Sequence, residues 1–174
     1  GVQNWTKYEE PMANSPLYYA CSFDSLDQRL PVTCVNYRWL YDSKQGACDA
    51  LNVQPAKWCR MDLSVTSVES KGTGINWPVL RYADVLLLLA EADNEINHGP
   101  TSLAKEMLKR VRDRAFINAN SEFRTALVDD YINNVSRGYD SFKEALIQER
   151  AWEFGGENIR KFDLVRWNNY YSKV

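Results

Sequence analysis

The closing segment of the chain carries the residues whose types and spacing could do chemistry. Between Ile147 and Trp167, charged side chains alternate with large apolar ones at helical spacing: Glu149, Arg150, Glu153, Arg160, Asp163 and Arg166. Two carboxylates at a suitable separation are enough to hydrolyse a glycoside. Each charge nevertheless has an opposite charge close by, since Glu149 and Glu153 flank Arg150, and Arg166 follows Asp163 by three residues. The pattern therefore favours structural ion pairs that fix two helices in one register, and we expect no catalytic residue here.

Aromatic residues in the first third of the chain are the candidates for ligand contact. The chain is rich in them, with six Trp, ten Tyr and six Phe, and a flat ring can stack on the apolar face of a sugar. The four principal candidates are Trp5, Trp39, Tyr41 and Trp58, and Tyr18 and Tyr19 belong to the same group. Hydroxyl partners stand near them in sequence, namely Asn36, Arg38, Asp42, Asn52 and Arg60. Packing among the loops is the competing interpretation for each ring.

Charge and metal-ligating residues exclude several classes of function. A net charge of −2 gives no electrostatic footprint for nucleic acid or an anionic membrane, so a neutral ligand fits better. His98 is the one histidine, and its place before Gly99-Pro100 favours helix capping over catalysis. No two of the four cysteines, at 21, 34, 48 and 59, form a Cys-x-x-Cys pair, which argues against zinc. We expect no metal and no cofactor; free thiols and one or two disulfides both remain open.

The elements that must position these residues fall into two halves. Residues 1–76 are broken by prolines and glycines, which predicts an irregular, loop-rich segment with a few short strands or helical turns. Val32–Trp39 is β-branched and aromatic, as in a strand that forms one arm of a hairpin. Residues 77–174 show helical periodicity, and we assign both halves to one domain. No apolar run is long enough to span a bilayer.

The second half predicts two successive helix hairpins. The first pairs Val79–Asn97 with Thr101–Ala115, across a stop signal at Asn97-His98-Gly99-Pro100. In the second of these helices, a core stripe and a solvent side are expected: Leu103, Met107, Val111 and Ala115 on the stripe, and Lys105, Lys109 and Arg112 on the solvent side. A short helix over Thr125–Asn133 follows a polar link at 118–122.

The remaining helices close the chain. Ser141-Phe142-Lys143-Glu144 has the form of a capping box and predicts a helix that runs to Phe154. Gly155-Gly156 ends it, and a last helix covers about Asn158 to Asn169.

Four ordered motifs resemble the SusD/RagB family. Arg81-Tyr82-Ala83-Asp84-Val85-Leu86-Leu87-Leu88-Leu89-Ala90-Glu91-Ala92 is similar to the family's RYADVLLLYAEA helix, and Val111-Arg112-Asp113-Arg114-Ala115 to its (I/V)R-x-RAG helix end, with Phe116 where Gly is usual. Ile147-Gln148-Glu149-Arg150-Ala151-Trp152-Glu153-Phe154 and Asp163-Leu164-Val165-Arg166-Trp167 resemble its I-x-ERR-x-E(L/F) and DLVRW segments. Asp27-Gln28-Arg29 is similar to the family's D-x-R segment. Arg81 and Glu91 take the same structural interpretation as the closing charges.

This resemblance implies the C-terminal portion of a bacterial surface lipoprotein that captures glycans or other nutrients. It implies an all-α fold of tetratricopeptide-like helix hairpins decorated by irregular loops, and a SusC-like TonB-dependent outer-membrane transporter as partner. The membrane would be reached only through a lipid anchor that these residues lack. The chain starts at Gly1 without a signal-peptide pattern, which fits a fragment or a processed chain. A helical-repeat module that binds protein and no sugar is the alternative, and a hydrolase is disfavoured.

Overall fold

The computed structural model describes residues 17–39, 45–49, 53–57, 76 and 78–173. The chain divides into two compact units, Gly1–Trp77 and Pro78–Val174. This division falls next to the predicted change from loop-rich to helical sequence. That both halves belong to one domain stays a prediction.

The first unit consists of short elements. In its described residues the helices are α1 (Leu17–Cys21) and α2 (Leu30–Thr33), and the strands are β1 (Cys34–Val35), β2 (Tyr37–Trp39), β3 (Gln45–Ala47) and β4 (Gln54–Pro55). β2 and β3 form an antiparallel hairpin and β1 pairs with β4 in the same sense. The predicted hairpin is thus present. The predicted strand Val32–Trp39 corresponds to β1 and β2, and it begins at Cys34, two residues later than predicted. Pro31 lies in the first turn of α2, where a missing N–H costs nothing, so the chain stays helical through Thr33.

A buried ion pair organises the turn before α2. The Arg29 side chain donates from Nε to Asp27 Oδ1 at 2.9 Å and from Nη2 to Asp27 Oδ2 at 2.7 Å, and both residues are buried. The Arg29 backbone N–H also donates to Asp27 Oδ1. Of the cysteines, Cys21 is exposed, Cys34 is buried and Cys48 is half-buried; Cys59 lies outside the described residues.

The second unit opens with the predicted hairpin of α3 (Tyr82–Asn97) and α4 (Ser102–Ala115). His98 caps α3 in the left-handed conformation at φ 52°, and its backbone N–H donates to the Asn94 carbonyl. The Thr101 side chain caps α4 by accepting from Leu103 N–H, and Asp93 accepts from both the backbone and the hydroxyl of Thr101. These bonds fix the link that turns the chain back on itself.

The next helix is longer than its sequence indicated. α5 (Ser121–Arg124), a π-helical turn (Thr125–Asp130) and α6 (Tyr131–Val135) follow one another without a break. The predicted start at Thr125 was wrong because the Asn120 side chain accepts from Phe123 N–H and so begins the helix in the polar link.

The last helices are α7 (Tyr139–Glu153), α8 (Arg160–Arg166) and α9 (Tyr170–Lys173). The capping-box prediction was wrong: α7 begins after Gly138, and Ser141 lies inside its first turn. There the Ser141 hydroxyl donates to the carbonyls of Val135 and Gly138. Asn158 and Asn168 adopt positive φ angles of 59° and 57° on either side of α8, which explains why this helix is shorter than predicted.

The core lies where α3 packs against α4 and α7. Its buried members are Ala83, Leu86, Leu87, Ala90, Ala104, Met107, Leu108, Val111, Ile132, Phe142, Ala145, Leu146 and Phe154. Two predictions for α4 were wrong, because Leu103 is exposed and Arg112 is buried. Within the described part of the chain, none of the helices has both the length and the apolar character that a bilayer crossing requires.

Candidate functional site

The charged motif residues come together in a network on one side of α3. We call it the closing network, and its members are Arg81, Asp84, Glu91, Arg150, Glu153, Glu157, Asp163 and Arg166. Asp84 and Glu91 lie seven residues apart and share one face of α3, and Arg81 precedes the helix as its N-cap residue. α7, α8 and the turn between them supply the other members.

Arg150 is the centre of the closing network. Its Nε donates to Asp163 Oδ2 at 2.7 Å and its Nη1 to Asp84 Oδ1 at 2.7 Å. Asp163 also accepts from Arg166 Nε at 3.0 Å, a local pair that the sequence predicted. The expectation that Arg150 pairs with its neighbours Glu149 and Glu153 is corrected: its ion pairs reach across to other helices. Glu149 is adjacent to Arg150, and adjacent positions on a helix point away from each other. Glu153 lies three residues from Arg150 but accepts from Arg81 and Arg114 instead.

Arg81 ties the start of α3 to the end of α7. It donates to both carboxylate oxygens of Glu157, each at 2.8 Å, and from Nη1 to Glu153 Oε1 at 2.9 Å. Its guanidinium carbon lies 4.8 Å from the centre of the Phe154 ring, and that of Arg150 lies 4.9 Å from the same ring. Burial disfavours the charged form, but the bonds to Glu157 and Glu153 outweigh it and raise the pKa of Arg81.

The outer end of the network surrounds Glu91. Arg166 donates to both of its carboxylate oxygens, and Trp167 Nε1 donates to Oε1 at 2.7 Å. Desolvation lowers the pKa of Arg166, yet the partners Glu91 and Asp163 leave it raised on balance. The Trp of the DLVRW segment therefore contributes a hydrogen bond to α3 as well as a ring.

A second buried pair joins α4 to α7. Arg112 Nη1 donates to Glu149 Oε2 at 2.6 Å, and both side chains are almost completely buried. The remaining Arg112 nitrogens donate to the Leu127 carbonyl, and its guanidinium carbon lies 3.6 Å from the centre of the Tyr131 ring. Leu127 belongs to the π-helical turn, where the widened backbone offers its carbonyl to a side chain. These partners explain why Arg112 is buried against expectation.

The bonds of three buried carboxylates indicate what these groups can do. Glu149, Glu153 and Asp163 each accept a charge-assisted hydrogen bond from a guanidinium group, an arrangement that stabilises the packing of helices. A general acid for glycoside hydrolysis must reach the leaving-group oxygen of its substrate, whereas these carboxylates are buried and bonded to guanidinium groups. The described residues contain no group of three or more His, Cys, Asp or Glu side chains placed to hold a metal ion.

The aromatic candidates lie in the first unit. Trp39 is the last residue of β2 and pairs with Gln45 of β3. Trp5, Tyr41 and Trp58 lie outside the described residues, as do Asp42, Asn52 and Arg60. Tyr18 on α1 is 85% exposed, whereas the ring of Tyr19 packs edge-on against Phe23 at 5.2 Å. Of the two candidate tyrosines on α1, Tyr18 is therefore the one whose ring is open to a ligand.

A small pocket lies between α3 and α4. It is lined by Tyr82, Ala83, Leu86, Arg110, Val111 and Arg114 and has a volume of about 170 Å³. Pockets for drug-sized ligands are about 300–1,000 Å³. This one accommodates a single side chain and not an oligosaccharide.

Three members of these charge clusters were missed by sequence reasoning. Asp84 lies in the motif that begins at Arg81, and Glu157 directly follows Gly155-Gly156. Arg112 was predicted on the solvent side of α4. The signal for Asp84 was its spacing of three residues from Arg81 and seven from Glu91. No local pattern marks Glu157, because its partner Arg81 is 76 residues away.

Comparison with known proteins gives one consistent match. The model of the SusD family matches residues 8–174. SusD-like protein P25 of Formosa agariphila is 39% identical over 89 residues, which cover 51% of this chain and 15% of that protein. SusD-like protein P2 of the same organism is 36% identical over 93 residues, 52% of this chain and 17% of the relative.

A solved structure agrees with the sequence matches. A SusD homolog from Bacteroides thetaiotaomicron matches with a TM-score of 0.66 and 32% identity, over 84% of this chain and 31% of that one. The chain thus spans less than a third of the length of each of these proteins. The predicted all-α, tetratricopeptide-like fold with few short strands is confirmed, as is the resemblance on which it rested.

Proposed function

Because this chain belongs to the SusD family, we propose that it is the C-terminal part of a cell-surface glycan-binding protein. In this proposal the whole protein captures oligosaccharides and hands them to a SusC-like TonB-dependent transporter in the bacterial outer membrane. It is attached there by a lipid anchor, and it has no catalytic role. The observation that carries the proposal is the family match over residues 8–174.

The charge clusters support a scaffold role for the helical unit. The carboxylates that could serve as acid and base are Glu149, Glu153 and Asp163, and each is buried against an arginine from another helix or turn. Ion pairs between residues 13 to 72 positions apart hold the helices in place, and they engage these three carboxylates. The same residues lie in the motifs that resemble the family's, which supports a structural role for these motifs.

Ligand binding is then assigned to the loop-rich unit. A neutral oligosaccharide needs flat apolar rings flanked by hydrogen-bonding groups, and the sequence places Trp39, Tyr41 and Trp58 beside Arg38, Asp42 and Arg60. Tyr18 adds an exposed ring on α1. Trp5 completes the proposed set. A shallow aromatic surface of this kind would bind sugars without an enclosed pocket.

Alanine substitutions test this assignment in the protein encoded by its complete gene. Trp39→Ala, Trp58→Ala and Tyr18→Ala should each weaken oligosaccharide binding by about 1 kcal/mol, or about fivefold in Kd, because a stacked ring is lost. Tyr171→Ala is the matched control, since Tyr171 is fully exposed on α9 of the helical unit. Calorimetry should give it the affinity of the unaltered protein.

The contrary results are equally definite. Unchanged affinity for all three variants removes these rings from the site. A glycan array without binding, combined with capture of a protein partner by the complete protein, would favour the alternative of a helical interaction module. A pull-down of the outer-membrane transporter tests the partner separately, and turnover of an oligosaccharide by the purified chain would contradict the absence of catalysis.

A further inference from the structure

The small pocket between α3 and α4 combines an apolar lining with two cations. Its buried lining residues are all apolar: Ala83, Leu86 and Val111. Tyr82, Arg110 and Arg114 complete the lining, and all three are exposed. Arg110 and Arg114 lie four residues apart on α4, so their side chains share one face of that helix. The pocket therefore offers an aromatic ring and two guanidinium groups beside an apolar surface.

Arg110 has no carboxylate partner within the part of the chain that the structure describes. Its guanidinium carbon lies 5.5 Å from the centre of the Tyr82 ring. Glu106 precedes Arg110 by four residues on α4 and forms no ion pair with it. A guanidinium group that contacts a ring through its face still presents N–H donors at its edge, in a planar arrangement that matches an oxyanion. Arg110 is therefore available to a negatively charged ligand.

The neighbouring charges leave the pocket positive. Arg114 Nη2 donates to Glu153 Oε1, and the same oxygen accepts from Arg81 Nη1. Arg81 also donates to both carboxylate oxygens of Glu157. Arg81 and Arg114 are thus balanced by Glu153 and Glu157, and Arg110 adds one further positive charge. The net charge of −2 on the whole chain does not describe this local charge.

We propose that this pocket binds one acidic sugar unit, a pyranose that carries a carboxylate or a sulfate ester. This inference rests on the proposed function, because it takes a glycan as the ligand. The C–H face of the sugar packs on the ring of Tyr82 and the apolar lining, and the oxyanion accepts hydrogen bonds from Arg110 and Arg114. A carboxylate and a sulfate ester share this chemistry, since each presents oxygens that a guanidinium group can bind.

The size and composition of the pocket favour a sugar over other anions. Its volume of about 170 Å³ corresponds to about six water molecules, so it takes one substituted edge of a sugar while the rest of the glycan stays in solvent. An inorganic anion would contact the arginines but leave the ring of Tyr82 and the apolar lining uncovered. An acidic side chain of a peptide supplies the carboxylate but has no flat face for the ring. A ring beside unbalanced positive charge therefore fits a sugar with an acidic group.

Saturation-transfer difference NMR tests the proposal on the protein encoded by the complete gene. Methyl glucuronide carries the carboxylate, glucose 6-sulfate carries the sulfate ester, and the methyl ester of methyl glucuronide is a neutral counterpart. Acetyl-aspartate methylamide presents the carboxylate of a peptide without a sugar ring. At least one acidic sugar should bind at least about fivefold more tightly than the neutral ester and the aspartate compound. Whichever acidic sugar binds more tightly identifies the anionic group.

Substitutions locate this binding at the pocket. Arg110→Met removes the guanidinium group and should abolish the preference for the acidic sugar over the neutral ester. Arg110→Lys keeps the charge without the planar set of donors and should keep part of the preference. Tyr82→Leu should weaken binding of the acidic sugar about fivefold because the ring contact is lost. Arg137→Met is the matched control, since Arg137 is exposed, lies outside the pocket and donates to Asn134; it should keep the full preference.

Several results would overturn the proposal. The acidic-sugar site is wrong if the acidic sugars bind no more tightly than the neutral ester, or if the preference persists in Arg110→Met. Equal binding of acetyl-aspartate methylamide would assign the pocket to an acidic peptide. Inorganic sulfate that competes as well as the acidic sugar would reduce the pocket to a non-specific anion site.

A glycan array on the complete protein separates this inference from the proposed function. Binding of neutral glycans together with no preference for acidic ones overturns the acidic-sugar site alone. An array without any bound glycan overturns the proposed function and the acidic-sugar site together.

Discussion

Removing Asp163 is the most direct test of the closing network. Asp163→Ala deletes the acceptor for Arg150 Nε at 2.7 Å and for Arg166 Nε at 3.0 Å. Both cations keep another partner, since Arg150 still reaches Asp84 and Arg166 still reaches Glu91. The variant therefore weakens the network without leaving a buried charge alone.

The magnitude follows from the burial of each lost bond. The Arg150 bond is almost fully buried and charge-assisted, and such a bond contributes about 1.5–3 kcal/mol. Arg166 is about a third exposed, so its bond adds about 0–1 kcal/mol. We expect the free energy of unfolding to fall by about 3 kcal/mol, which lowers Tm by about 6–12 °C in a chain of this size.

Urea denaturation and calorimetry on the 174-residue chain measure this loss against a matched control. Asp129→Ala removes an acceptor from Lys109 at the surface, where both partners are at least a third exposed, and it should cost at most about 1 kcal/mol. A double-mutant cycle of Asp163→Ala with Arg150→Met should give a coupling of about 1.5–3 kcal/mol. In the complete protein, Asp163→Ala should leave oligosaccharide affinity unchanged.

Two results would refute this reasoning. If Asp163→Ala costs no more than Asp129→Ala, burial does not strengthen the closing network. If Asp163→Ala keeps its stability but loses ligand affinity, the motif belongs to the binding site and its structural interpretation is wrong.

Two further predictions concern α3. Leu87→Ala should lower the free energy of unfolding by about 2–5 kcal/mol because Leu87 is fully buried. Leu88 is 40% exposed, so Leu88→Ala in the 174-residue chain should lower it by less than about 1 kcal/mol. Equal losses for the two variants in urea denaturation would contradict this packing. Hydrogen bonds from Lys143 and Tyr139 lower the pKa of Glu95. The ionised carboxylate therefore stabilises the fold by at most about 1 kcal/mol at pH values above its unfolded pKa near 4.3, and this contribution is lost as pH falls through the lower folded pKa. An NMR titration that gives Glu95 a folded pKa at or above its unfolded pKa would contradict this prediction.

Local chemistry made most of the helices predictable from sequence. The α3–α4 hairpin follows from apolar periodicity and from the stop at Asn97 to Pro100, and its ends agree with the structure within a few residues. Errors in predicted helix starts arose where the sequence offered more than one capping residue. Ser141 and Asn120 are both good caps by type, but only Asn120 lies at a helix start, because α7 already begins after Gly138.

The partners of the charges could not be predicted in the same way. Arg81 meets Glu157 across 76 residues and Arg150 meets Asp84 across 66, and no local rule relates positions so far apart. Arg112 shows the same limit. The sequence pattern of α4 placed Arg112 on the solvent side of that helix. The Arg112 side chain is buried because Glu149, the Leu127 carbonyl and the Tyr131 ring surround it.

The contacts of α3 explain why the charged motif residues lie where they do. One face of α3 is buried in the core, and Asp84 and Glu91 on another face pair with arginines of α7 and α8. The closing network holds α7 and α8 on one side of it, and these connections use residues far apart in sequence. The motif residues thus fix the position of α3 against α7 and α8. Substitutions in the closing network should therefore loosen this helix packing and lower the free energy of unfolding.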